Sequence, residues 1–251
     1  MIIEFLGTSG SGKSSLIPLL EQLLTNPQTL GMSATEAIHY FMRNSWAGRV
    51  IYRLAPPSIR RPVTWQVYIQ AVERWHTFWF AVQHPRLTKF LLSQRLQKSH
   101  RWLILRLYFG MAGRFRFLER HIQPHQVIFL DEGFAHRATH LFVTEAEMPK
   151  PEQVKSYLEL IPVPDLVLWV YAPLGQCLSR IAARGAQTRL ARLSPTETRQ
   201  FLNNAEKVCE IAADYARSAG WAIIQSDNTA DLASCALDVH RKIIQRMNSQ
   251  S

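Results

Sequence analysis

The chain has 251 residues, 47% of them hydrophobic, and a formal net charge of +10 with an isoelectric point near 9.9. This length and apolar content suit one large α/β domain with a substantial core, while the longest apolar runs are broken by Pro, Asp or Arg well short of the ~18 residues of a membrane span. Cys177, Cys209 and Cys235 stand far apart, without metal-ligand spacing, and read as buried thiols of a reducing compartment.

In chain order, the first predicted element is the apolar strand Ile2-Ile3-Glu4-Phe5-Leu6. Met1 opens it directly, so no leader is expected ahead of it and the expected address is the cytoplasm. The strand runs into Gly7-Thr8-Ser9-Gly10-Ser11-Gly12-Lys13-Ser14-Ser15 and then into a helical pattern ending near Thr25-Asn26-Pro27. Strand, glycine-rich turn and helix form the context that the phosphate-binding pattern G-x-x-x-x-G-K-[S/T] needs. The glycines let successive amide N–H groups converge on an anion, and the helix adds its positive end. Lys13 is expected to reach the β- and γ-phosphates of ATP, and Ser14 to place its hydroxyl on Mg²⁺. The competing reading is a flexible Gly/Ser turn.

Residues 28–33 hold a weak strand pattern, and a helix is predicted over 34–41. Pro56-Pro57, Arg60-Arg61 and Pro62 suggest a turn-rich basic stretch. Two or three aromatic-rich helices follow over 64–121, interrupted at His84-Pro85. Continuous apolar runs at 126–131 and 165–171 look like buried parallel strands, and a last strand is expected at 221–226. Helices are predicted at 174–184, 195–218 and 229–247. Strands alternating with helices predict an α/β protein. The expected form is a three-layer α/β/α P-loop NTPase fold with a mostly parallel five-stranded sheet, as a single domain over 1–251. A helical acceptor-side insert at 64–121 and a lid at 180–195 complete the expectation.

Two further groups carry candidate chemistry. Asp131-Glu132-Gly133 closes the 126–131 strand, where ligands of open parallel sheets bind; Asp131 is expected to hold Mg²⁺ with Ser14, and Glu132 to assist the metal or accept a proton from the attacking hydroxyl. Arg137, five residues on, is a bidentate anion donor. The second group is Arg180, Arg184, Arg189 and Arg192 around the break Gly185-Ala186-Gln187-Thr188. Lid arginines there would stabilise charge on the transferring phosphoryl group, whereas a solvated basic helix end is the plainer reading.

Four pieces in order resemble the thymidylate-kinase branch of the nucleoside monophosphate kinases. They are the loop at 7–15, Asp131-Glu132 at a strand end, Pro164-Asp165-Leu166-Val167-Leu168 with its helix ending in Arg180-Ile181-Ala182-Ala183-Arg184-Gly185, and Ser226-Asp227 after the final strand. The resemblance implies an ATP-binding loop, with Arg180, Arg184 and Arg189 in lid roles. It departs at the acceptor side. Asp131-Glu132-Gly133 replaces the family's D-R-[Y/H], only Thr35-Glu36 stands where an E-P-G-G-T-type segment belongs, and the 64–121 insert is longer and more aromatic.

Between Arg86 and His121 nine Lys or Arg face the single acid Glu119. The expected function is therefore transfer of the ATP γ-phosphoryl to a small, anionic acceptor, with Arg137, Arg106 and Arg114 as its binding residues. A P-loop ATPase or regulator, and a basic surface for nucleic acid or membrane, are the alternatives; a homodimer is also compatible.

Overall fold

The computed structural model describes residues 1–25, 29–94, 101–185, 190–229 and 231–249. The predicted helix end at Asn26-Pro27, the basic residues Arg95 and Lys98, and the lid segment 186–189 with Arg189 lie outside the described residues.

Five strands, β1 (Ile2–Leu6), β2 (Leu30–Ser33), β3 (Gln126–Leu130), β4 (Leu166–Tyr171) and β5 (Ile223–Asp227), form one sheet in the order β2-β3-β1-β4-β5. Every neighbouring pair is parallel, with Glu4 opposite Leu130 and Val167 in the two ladders of the central strand. Parallel neighbours need crossovers, and helices supply them. α1 (Lys13–Leu24) joins β1 to β2. Between β2 and β3 come α2 (Ala34–Asn44), α3 (Trp46–Leu54), α4 (Pro57–Val67), α5 (Arg74–Gln83), α6 (Pro85–Ser93) and α7 (Arg101–His121). α8 (Phe134–Phe142) and α9 (Pro151–Leu158) precede β4, α10 (Leu174–Arg184) and α11 (Pro195–Ser218) precede β5, and α12 (Leu232–Asn248) ends the described chain.

Strand alternation divides the core into two layers. Ile3, Phe5, Val127, Phe129, Leu166 and Leu168 point to one face, against Leu16, Leu20 and Leu24 of α1 and Val239 and Ile243 of α12. Ile2, Leu6, Ile128, Leu130, Val167 and Trp169 point to the other, against the insert and α8 to α11. Burial on both faces is why the strands read as unbroken apolar runs. The result is the expected three-layer α/β/α fold, with an all-parallel sheet.

The stretch around Pro56-Pro57 and Pro62 is helical, not turn-rich. Pro57 takes the first helical position of α4, where its missing N–H costs nothing, and Pro62 removes a single hydrogen bond inside the helix. α4 passes through a π-helical turn (Tyr68–Glu73) into α5. His84 caps the end of α5 and Pro85 opens α6, so the predicted interruption falls where it was placed. Among the described residues no helix is long and apolar enough to cross a membrane.

The central strand itself carries an acid into this core. Glu4 on β1 is fully buried, and its carboxyl accepts hydrogen bonds from the amides of Phe134 (2.9 Å) and Ala135 (2.9 Å) at the start of α8. Any side chain at Gly133 would collide with that carboxyl, so the tie requires glycine there. Burial raises the Glu4 pKa from 4.5 to about 7, against the two amide bonds, which lower it. The folded protein therefore holds a proton that the unfolded chain releases near pH 4.5, and this contribution to stability falls as pH rises from 4.5 through 7. Relative to Glu4→Gln, the wild-type protein should lose roughly 3 kcal/mol across that window, read from urea midpoints at each pH. A stability difference that stays flat with pH would show Glu4 to be ionised throughout.

Candidate functional site

The site begins where β1 ends. Gly10 (φ +83°) and Gly12 (φ +100°) adopt the left-handed region that favours glycine, and both lie against neighbours. A Cβ on Gly10 would sit 2.6 Å from the Cys177 carbonyl, and one on Gly12 would overlap the Asn228 amide. Gly12 caps α1 without a side-chain hydrogen bond, and the first turn holds no acid. The amides of Ser15 and Leu16 donate to the Gly12 carbonyl, and those of Lys13 and Ser14 are left to an anion, aided by the helix dipole. Lys13 is buried, and its ammonium donates to the carbonyls of Gly7 (2.7 Å) and Thr8 (2.9 Å). Burial pulls its pKa down, while Cys209, Asp131 and Glu132 push the other way. Ser9 is half-buried and Ser15 exposed on the loop's outer side.

The loop's conformation is held from behind. Arg180 Nη1 donates to the carbonyls of Gly10 (3.3 Å) and Ser11 (3.3 Å), and its Nη2 to the carbonyl of Asn228 (3.0 Å). Asn228 Nδ2 donates to the Ser11 carbonyl (2.7 Å), and its own N–H to Tyr171 (2.8 Å). Thr8 Oγ1 meets Cys177 Sγ at 3.6 Å. Arg180 thus supports the loop, whereas the sequence placed it on a lid. All three cysteines are free and buried, as expected. Burial pushes the Cys209 thiol up to about 12, so it is an inert packing group near Lys13.

Because β3 lies beside β1, its end brings Asp131 to the loop. Ser14 Oγ donates to Asp131 Oδ2 at 2.8 Å, and Asp131 Oδ1 is buried with no hydrogen-bond partner among the described residues. A hydroxyl, a carboxylate and an unsatisfied carboxylate oxygen at a phosphate-binding loop are oxygen ligands of the hardness Mg²⁺ takes. The pair fits that ion.

α8 presents the next layer. Arg137 Nη2 pairs with Glu132 at 2.8 Å while Nη1 donates to His140 Nδ1 at 2.7 Å. His136, also buried, feels Lys13 and His140, and burial first of all keeps it neutral, well below the usual histidine range. Glu132, His136 and His140 each offer a ligand atom within 4.8 Å of the others, but Arg137 bonds two of the three and its charge opposes a cation there. From the insert, Arg114 donates to Glu73 (3.0 Å) and lies close enough to Arg137 for the two cations to repel. Arg106 lies eight residues, or about 12 Å, back along α7 from Arg114 and is exposed. Arg184 is exposed at the end of α10, Arg192 is exposed in a 3₁₀ turn (Leu190–Arg192), and Arg189 lies outside the described residues. The structure therefore gathers Lys13, Ser14, Asp131, Glu132, Arg137 and Arg114, and leaves Arg106 and Arg184 at the surface.

Sequence reasoning missed Asn228, His136, Glu73 and Glu4. Only Glu4 carried a signal, an acid in an otherwise apolar strand. The others depend on contacts between distant segments.

No protein-family model matches the chain, and no curated protein matches it. Among solved structures it is similar to deoxyadenosine kinase from M. mycoides with bound dATP, at 14% identity and a TM-score of 0.46, over 97% of this chain and 100% of that one. It is also similar to deoxyadenosine kinase from M. mycoides with bound dCTP, at 12% identity and a TM-score of 0.42, over 98% and 100%.

The support behind the loop is testable. Asn228→Ala leaves the Ser11 carbonyl short of a buried donor, a loss of about 1–3 kcal/mol. The dissociation constant for ATP should rise about tenfold, while Thr229→Ala, at the exposed neighbouring position, should leave it unchanged. Equal affinities for both variants, measured by calorimetry, would mean the loop holds its shape without Asn228.

Proposed function

We propose that the chain is an ATP-dependent phosphotransferase of the P-loop kinase type, acting on a small acceptor. The observation that carries this reading is the contact between Ser14 and Asp131 beside Lys13, three side chains from two segments meeting on one glycine loop. The phosphates of ATP lie along the first-turn amides of α1, with Lys13 as a point charge on the transferred end. Ser14 and Asp131 hold Mg²⁺, which supplies charge neutralisation to the phosphates when bound.

The acceptor occupies the space between α8 and α7. Where the attacking group is a hydroxyl, Glu132 takes its proton, and Arg137, on its other side, fixes the carboxylate's direction. Two mutually repelling arginines, Arg137 and Arg114, suit an anion placed between them, which supports a phosphorylated or otherwise anionic acceptor of nucleotide size. Where the thymidylate-kinase pattern has an arginine directly after the strand-end acid, this chain brings Arg137 to that neighbourhood from one turn along α8. This supports a kinase with an anion-binding acceptor site over a plain ATPase.

Lys13→Ala should lower turnover at least about 100-fold with the unfolding midpoint nearly unchanged; wild-type-like ADP release from the folded variant would remove the nucleotide site. Asp131→Asn should also cut the rate, about 100-fold, and raise the Mg²⁺ concentration required, because a neutral amide binds the ion weakly. Glu132→Gln should lower kcat without moving that requirement. The check is the rate against Mg²⁺ concentration for each variant, with nucleoside, nucleotide and sugar acceptors. ADP release that no acceptor accelerates would instead establish an ATPase.

A further inference from the structure

A cleft of about 410 Å³ lies between α5 and α7, lined by Trp75, His76, Trp79 and Gln83 on one side and by Arg116 and Arg120 on the other. It is not part of the phosphate site. Glu119, between the two arginines in sequence, interacts electrostatically with Asp165, which stands ahead of β4 at the edge of the sheet opposite the glycine loop.

Arg116 is the unusual member. It is only 6% exposed, yet it has no hydrogen-bond or ion-pair partner among the described residues, and its Nε is completely covered. The charges nearest to it are Arg120, which repels it, and the exposed Glu119. A guanidinium nitrogen covered without a partner loses its hydration uncompensated, and an anion taken up beside it would supply the missing partner. His76 Nδ1 is likewise buried and without a partner. The remaining wall is aromatic. Trp75 and Trp79 meet edge to face at 5.7 Å, and Trp75 is 61% exposed, far from the usual burial of an indole. Flat π faces beside guanidinium groups bind planar rings by stacking and by cation–π attraction. The volume falls within the roughly 300–1,000 Å³ of small-molecule sites.

We propose that this cleft is a second ligand site, separate from the phosphate loop, for a planar ring bearing an oxyanion, with Arg116 and Arg120 on the anion and Trp75 and Trp79 on the ring. The same chemistry occurs in a nucleoside monophosphate and in an aromatic carboxylate. The site is independent of the kinase reading, because it is defined by binding alone.

The test is calorimetry on the full-length Lys13→Ala protein, which weakens nucleotide binding at the loop, with GMP, benzoate and inorganic phosphate as probes. One of the two ring-bearing anions should bind saturably at one site, with phosphate alone at least about tenfold weaker. GMP tighter than benzoate identifies a phosphorylated ligand, and the reverse a carboxylate. Added to the Lys13→Ala background, Arg116→Gln should weaken the tighter probe at least about tenfold, the worth of a charged hydrogen bond. Arg120→Gln and Trp75→Ala, at exposed positions that tolerate change, should do so too, which keeps the test valid if the buried Arg116 variant does not fold. No saturable binding of either ring-bearing anion overturns the proposal, and so does binding that survives the Arg120 and Trp75 substitutions. A dimer in sedimentation velocity that Trp75→Ala converts to monomer would also overturn it, by showing the cleft to be covered by a second copy of the chain.

Discussion

The site depends first on the carbonyl oxygens of Gly10 and Ser11 being held from behind. A glycine-rich loop has few side chains with which to anchor itself. Beside the contact of Thr8 with Cys177, its carbonyls are the handles, and those of Gly10 and Ser11 accept hydrogen bonds from Arg180 and Asn228. Arg180 bonds Asn228 in turn, which bonds Tyr171 at the end of β4. The loop is therefore fixed by the sheet edge between β4 and β5, on the side away from Ser14 and Asp131. The amides of α1 can then face a phosphate without further rearrangement, which is the value of preorganised dipoles over solvent.

A second tie does the same for α8. Glu4 sits at the middle of β1, three residues ahead of Gly7, and its carboxyl takes the first two amides of α8. It replaces a helix cap with a buried strand residue, so α8 is pinned to the strand that leads into the loop. Glu132, His136 and Arg137 inherit their positions from that bond. The cost is a carboxyl in a desolvated place, which burial pushes up to about 7.

The helical insert divides its many arginines by depth. Arg114 turns toward Glu73 and Arg137, Arg106 faces solvent, and Arg116 is buried with its Nε unpartnered among the described residues. Its aromatics divide in the same way. Tyr108, Phe80 and Phe115 pack around Phe134 at the start of α8, while Trp75, Phe78 and Trp102 remain exposed. A basic stretch in the sequence thus becomes one inward pair, one solvated face and one aromatic-lined cleft.

Much of the fold was legible in the residues. The loop at 7–15, the strands around 126–131, 165–171 and 221–226, and α10 and α11 follow from local signals: glycine spacing, unbroken apolar runs, a proline at a helix start. These depend on neighbours along the chain, and so composition and order suffice for them. The proline-marked stretch at 56–62 misled, because prolines near a helix start are compatible with the helix they seem to forbid. The functional pairings were of another kind. Ser14 with Asp131, Glu4 with the start of α8, Arg180 with the loop carbonyls and Arg137 with Glu132 are set by which strand lies beside which, and the order β2-β3-β1-β4-β5 decides that. The sequence by itself determined that a phosphate loop and an acidic strand end exist. Only the tertiary structure decided which arginine supports the loop, which pairs with Glu132 and which lies buried without a partner among the described residues, because a guanidinium's role follows from the acids, carbonyls and solvent around it, and those come from segments far apart in the chain.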